Sequence, residues 1–150
     1  MKYFTHLYFA VALDVADVLT SVGVEVKIGT SGNMTTISWA SDVGALGGDK
    51  ETLDATPLVS AVRINKSGVE DRQAWEVEYF HNNAEFVALN AMKTAGTEQD
   101  IEIVFPDGSK QTNKGVVTGN YQTDITVNSM IKDKLTVDLS GEWVYTAPTP

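Results

Sequence analysis

Few side chains in this sequence are of types and spacings that do chemistry. Glu76 and Glu78 are the first candidates, two apart in an alternating run, so both fall on one face of a strand. Paired carboxylates can divide acid and base work when their environments push their pKa values apart. On a half-exposed strand the same pattern is simply its wet side, and that is the reading preferred here. The chain has two histidines, His6 and His81, neither with an H-x-x-x-H partner. It has no cysteine, which removes disulfides, thiolate nucleophiles and zinc–thiolate sites. No G-x-S-x-G elbow is present either.

Gly44-Ala45-Leu46-Gly47-Gly48-Asp49-Lys50-Glu51-Thr52 has the glycines, lysine and threonine of a phosphate loop, but not their order. Such a loop needs Gly-Lys-Ser/Thr in sequence, so that backbone amides, lysine and hydroxyl converge on phosphate and magnesium. Asp49 and Glu51 interrupt both junctions and would repel an anion. Asp49, Glu51 and Asp54 supply oxygen ligands of the kind calcium takes, yet their spacing matches no calcium loop. A solvated acidic loop is the reading. No catalytic, cofactor-binding or metal-binding residue is assigned, and the expectation is a protein that is not an enzyme and carries no cofactor.

The elements that carry these residues are mostly strands. Val22, Val24, Val26 and Ile28 alternate with Glu25 and Lys27. Residues 34–40 form a second strand, after turn residues Thr30-Ser31-Gly32-Asn33. Residues 40–56 read as one long loop, and Pro57 precedes a third strand over 58–64. Asn65-Lys66-Ser67-Gly68 reads as the turn that ends it. Residues 73–80 form the fourth strand, with Trp75, Val77 and Tyr79 on its apolar face. Residues 82–95 change period: Phe86 and Leu89 lie at helical spacing among alanines, and Gly96 is placed to stop the helix. Strands follow at 100–105 and 110–121, joined by Pro106-Asp107-Gly108-Ser109, and at 134–139. Residues 123–130 read as a connection and 142–150 as a tail. Trp39 and Trp75 are expected in the core, and Trp143 exposed at an interface.

The fold class is therefore mainly β: an antiparallel sandwich or half-barrel of about seven strands with one flanking helix at about 82–95. Strands do not alternate with helices, so a parallel βαβ sheet is not expected. The organisation is an N-terminal arm or short helix over 1–20, a β domain over 21–142 and a C-terminal tail over 143–150. In the first segment Leu7, Val11, Val15, Val18 and Leu19 share a helical face. The opening run resembles a secretory signal, but it is short and contains His6, and Asp14 and Asp17 exclude a membrane span there.

The balance of 20 acidic against 11 basic side chains gives a net charge of −9. Such a surface repels nucleic-acid phosphate and anionic membranes. Specific DNA binding and membrane association are therefore not expected.

Taken in order, several features resemble the major tail tube proteins of long-tailed, siphovirus-type bacteriophages. They are the strand Val24-Glu25-Val26-Lys27-Ile28-Gly29, the segment Glu51-Thr52-Leu53-Asp54-Ala55-Thr56 before Arg63-Ile64, and the helix at 82–95. They continue with Ile103-Val104-Phe105-Pro106-Asp107-Gly108 and close with Leu135-Thr136-Val137-Asp138-Leu139-Ser140-Gly141. The resemblance covers roughly residues 21–142.

The resemblance implies a structural virion protein made in the host bacterial cytoplasm. Six copies would form a ring, and rings would stack into a hollow tube through which DNA passes without specific binding. The implied partners are other copies of the chain, with tail terminator, tape-measure and tail-tip proteins. By analogy, strands 33–40, 58–65, 100–105 and 110–121 would line the bore, making Thr36, Ser38, Arg63, Glu102, Thr112 and Lys114 lumen candidates. The loop from Ala40 to Thr56 would reach a neighbouring subunit through Asp42, Gly44, Leu46, Asp49, Glu51, Asp54 and Thr56. The competing reading is a monomeric β-sandwich binding module, for example one that binds carbohydrate on exposed aromatics.

Overall fold

In the computed structural model the structure describes residues 22–70 and 74–150. The expected arm or helix over 1–20 lies outside the described residues. The described residues form ten strands and one helix in the order β1 (Glu25–Thr30), β2 (Asn33–Ile37), β3 (Ala40–Asp42), β4 (Lys50–Asp54), β5 (Asn65–Glu70), β6 (Trp75–Phe80), α1 (Asn83–Ala95), β7 (Glu98–Val104), β8 (Lys110–Thr123), β9 (Lys132–Leu139) and β10 (Val144–Thr146). Every pairing is antiparallel.

The main sheet runs β2-β1-β7-β8-β9-β6-β3, with β10 beside β8. Its two end strands, β2 and β3, are joined by only Ser38 and Trp39. Three Cα–Cα steps span at most about 11 Å, so the sheet must curl until its ends nearly meet. The result is a sheet curled into a barrel. Phe80 donates its backbone N–H to the Trp39 carbonyl at 2.9 Å, which carries the β3–β6 ladder one residue into the link.

β8 turns the barrel's corner. Its first half pairs with β7 on one side and β10 on the other, and its second half pairs with β9. The register slips between Val117 and Gly119, a bulge that bends and twists the strand. Gly115 sits where β8 meets β9 closely: a Cβ there would lie 2.6 Å from the Asp138 carbonyl oxygen.

The expected alternation appears as burial. Val26, Ile28, Ile101, Ile103, Val117, Leu135, Val137, Trp75, Val77 and Tyr79 form one core with Ile37 and Leu89. α1 covers one side of it. Asn82 caps the helix, its side-chain oxygen accepting the Ala84 N–H at 3.1 Å, and Gly96 ends it in the left-handed conformation.

Several expectations are corrected here. Residues 40–56 are not one loop: they contain β3 and β4. Residues 58–64 are not a strand but the tip between β4 and β5, and Asn65-Lys66-Ser67-Gly68, expected as a turn, opens β5. Residues 144–146 do not trail away; they pair with β8. The tryptophans are also redistributed. Trp75 is buried as expected, but Trp39 is 60% exposed at the β2–β3 link. Trp143 packs edge-on against Trp75, ring centroids 5.4 Å apart, and is partly buried against the core.

Candidate functional site: a ruled sheet face and a projecting arm

The first candidate surface is the solvent face of β2-β1-β7-β8. Because neighbouring strands are in register, side chains of that face form rows across the sheet. Thr36, Lys27, Glu102 and Thr112 are paired in succession, and Asp100 pairs with Lys114 in the next row. Four of the six lumen candidates, Thr36, Glu102, Thr112 and Lys114, are thus gathered on one face. Lys27, between Thr36 and Glu102, was missed; its position in the alternation of β1 could have added it.

Each lysine of this face lies beside a carboxylate: Lys27 with Glu25 at 3.3 Å, Lys110 with Glu102 at 3.5 Å and Lys114 with Asp100 at 3.7 Å. Exposed pairs of this kind add little stability. Their effect is on the surface field, since no lysine here presents an uncompensated charge to a passing polyanion. The face borders an open trough of about 710 Å³ whose lining includes Met34, Asp100, Glu102, Thr112 and Lys114.

The other two lumen candidates lie elsewhere. Ser38 is in the β2–β3 link, and its backbone N–H donates to Glu85 Oε1 of α1 at 3.1 Å. Arg63 is not on the sheet at all. It sits in the tip between β4 and β5, its Nε 3.3 Å from Asp54 Oδ2.

The second candidate surface is that tip. β4 and β5 form a separate two-stranded arm, with all of β4 and most of β5 exposed. Ala55 and Ile64 close its end by a backbone hydrogen bond of 2.8 Å, and the Thr56 hydroxyl accepts the Ile64 N–H at 2.8 Å. Asp54 accepts from the Thr56 N–H and from Arg63. Its hydrogen bonds to Thr56 foremost hold its carboxyl below the usual aspartate range. On this scaffold Leu58, Val59 and Val62 project almost fully into solvent, with Ile64 and Leu53 half-exposed. Apolar side chains scattered singly on a surface are ordinary; a cluster of them at one tip is not.

The candidates for the inter-subunit loop divide between barrel and arm. Asp42 ends β3, and its side chain accepts the Gly44 N–H at 2.8 Å. Gly44 has φ +69 and lies so close to the Glu76 carbonyl that a Cβ would sit 2.6 Å from it. Val43 and Leu46 pack against the core. Asp49 leads into the arm, Glu51 and Asp54 are on β4, and Thr56 is in the tip. Projection therefore begins near Lys50, not at Ala40.

Glu76 and Glu78 share the outer face of β6. Glu76 is 2.7 Å from Lys134 Nζ, and this hydrogen bond foremost raises the lysine's pKa. Among the described residues, no group of three or more His, Asp or Glu side chains is arranged to hold a metal ion. No helix among them is long and apolar enough to cross a membrane.

No family model matches the chain, and no curated protein matches it. Solved structures do. The chain of the SPP1 tail tube superposes with a TM-score of 0.69 at 14% identity, over 89% of this chain and 81% of that one. A chain from the tail of an empty GTA particle, refined with C6 symmetry, gives 0.71 at 16% identity, over 87% of this chain and 100% of that one. The fold is that of a tail tube protein. A chain from the PVC sheath–tube complex, part of an extracellular contractile injection system, shares it at a TM-score of 0.63 and 12% identity, over 87% and 93% of the two chains. The tail-tube fold thus brings together a curled sheet with one ruled face and an arm that leaves the barrel.

Proposed function

We propose that this chain is a structural virion protein whose copies assemble into stacked, six-membered rings, forming a hollow tail tube for DNA delivery. The observation that carries the reading is the arm: a neutral, hydrogen-bonded hairpin with an apolar tip, on a chain whose fold matches subunits of assembled tails. An apolar surface held out from a closed core gains nothing for the monomer. Against another copy, each buried CH₂ contributes about 0.8 kcal/mol. The C6 symmetry of the GTA tail supports six copies to a ring.

In this reading the sheet β2-β1-β7-β8 faces the bore, with Thr36, Lys27, Glu102, Thr112 and Lys114 lining it. Its paired lysines and the acidic whole let DNA slide without being held. The free edge of β2 then serves lateral joining, since an unpaired edge otherwise invites uncontrolled association. The role is structural, not enzymatic. Tail terminator, tape-measure and tail-tip proteins meet the tube at its ends, and the chain resides in the virion.

The test is truncation of the arm's tip. Replacing Pro57–Arg63 with an Asn-Gly turn removes the apolar contact and leaves the core untouched. The variant is expected to fold with an unchanged melting temperature and to sediment as a small particle, where the full chain sediments as polymer. Normal polymer from the truncated chain contradicts the role given to the arm.

A further inference from the structure

The arm leaves the barrel at one end, and a second ordered apolar surface stands at the other. The arm's base lies beside Trp75: Trp75 Nε1 donates to the Val43 carbonyl at 2.7 Å, and Gly48 and Glu70 border the same cleft as Trp75. β6 then runs six residues to Phe80, about 17 Å. At that far end Phe80 bonds the Trp39 carbonyl, and the neighbouring His81 N–H bonds the Ile131 carbonyl at 3.0 Å. Here the β8–β9 connection projects, with Ile125, Val127, Met130 and Ile131 exposed, and the exposed Trp39 flanks the same end of β6 on its other side.

This connection is built to hold its shape. Ser129 Oγ donates to the Asp124 carbonyl at 2.8 Å and lies 2.7 Å from Thr126 Oγ1, and the Thr126 N–H returns to the Asp124 carbonyl at 3.0 Å. Asp124 and Asn128 adopt positive φ of 55 and 69, conformations that these two residue types tolerate better than most. The polar atoms turn inward on one another and the apolar side chains turn out, with Val127 91% exposed.

Charge permits the two surfaces to meet. The arm over 50–70 balances Lys50, Arg63 and Lys66 against Glu51, Asp54 and Glu70, and residues 121–132 balance Asp124 with Lys132. The whole excess of −9 therefore lies outside both. Most other contacts between copies would press acidic surfaces together.

We propose that the β8–β9 loop, with Trp39, is the seat for the arm of the next copy in the stack. Leu58, Val59 and Val62 of one copy pack on Ile125, Val127 and Met130 of the following one. Two different patches of one chain that mate make a head-to-tail contact, which repeats along an axis wherever it does not close into a ring. The proposal rests on the tube reading and adds the receiving surface.

The absence of cysteine makes cross-linking the direct test. A V59C/V127C chain is assembled, oxidised and run without reductant. The expected result is a ladder of covalent multimers continuing well past six copies, with no ladder from V59C or V127C alone. Polymer that gives no ladder overturns the seat. So does a ladder that stops at six, which places the contact inside one ring. In parallel, V127D/M130D is expected to lose pelletable polymer while keeping its melting temperature. Wild-type-like polymer from that variant overturns the seat but leaves the tube reading standing. If the unmutated chain makes no polymer, the tube reading falls first and the seat with it.

Discussion

The backbone N–H of Ser38 donates to Glu85 Oε1 across 3.1 Å, joining positions 47 apart in sequence. Ser38 belongs to the two-residue link that closes the sheet, and Glu85 to the first turn of α1. One carboxylate therefore ties the helix to the seam of the barrel. Glu85 is nearly buried, and its Oε2 has no hydrogen-bond partner among the described residues. Replacing it with alanine orphans the Ser38 amide and leaves a void. E85A is expected to lower stability by about 1–3 kcal/mol in chemical denaturation, and E85Q by less, because the amide oxygen can still accept. Equal losses in the two variants would mean that the hydrogen bond contributes nothing.

His81 and Asp133 make the second tie. His81 Nδ1 lies 2.7 Å from Asp133 Oδ2, and Asp133 is completely buried. The adjacent Tyr79 hydroxyl donates to Asn120 Oδ1 at 2.8 Å, and Asn120 Nδ2 donates to the Phe86 carbonyl of α1 at 3.2 Å. Burial foremost, with Asp133 adding to it, raises the Tyr79 pKa well above the ordinary tyrosine range. H81A leaves the carboxylate without this partner and is expected to cost roughly 3 kcal/mol. H81A/D133A is expected to cost less than the sum of the two single changes, since residues in contact couple. Additive losses would show that the pair is not coupled.

Acid acts on the β7–β8 turn. Asp107 accepts from Ser109 Oγ at 2.6 Å and from the Ser109 N–H at 2.9 Å. These bonds hold its pKa below the ordinary value of 3.8. A carboxylate whose pKa is lower folded than unfolded contributes stability above its unfolded value and loses it as pH falls through the folded one. The turn is thus expected to be intact down to about pH 3.8 and to loosen below it. Carboxyl NMR should give Asp107 a midpoint under 3.8, with the Ser109 amide moving in step. A midpoint at or above that value contradicts the assignment, and D107N should abolish the coupled movement.

The sequence made the barrel legible wherever a strand buries one face. Val26 and Ile28 alternate with Lys27, and Trp75, Val77 and Tyr79 with Glu76 and Glu78. The helix announced itself through its period and Gly96. The arm was read inside out for the converse reason. Glu51-Thr52-Leu53-Asp54 and Asn65-Lys66-Ser67-Gly68 bury no face, so they carry no alternation and read as loop and turn. Leu58-Val59 and Val62 form a short apolar run although they bury nothing within the chain, so they read as a strand. Hydrophobic pattern locates a strand only where the apolar side chains are covered within the chain itself. Arg63 followed its misplaced strand off the sheet face, while Thr36, Glu102, Thr112 and Lys114 fell together because their strands were placed within two or three residues.

The central claim is that this chain builds a hollow tube from copies of itself. Electron microscopy of the purified protein at increasing concentration tests it most directly. The expected images show rings with six-fold end views, and long tubes with a continuous central bore. Strictly monomeric particles at the highest concentration, under conditions in which the chain is folded, contradict it.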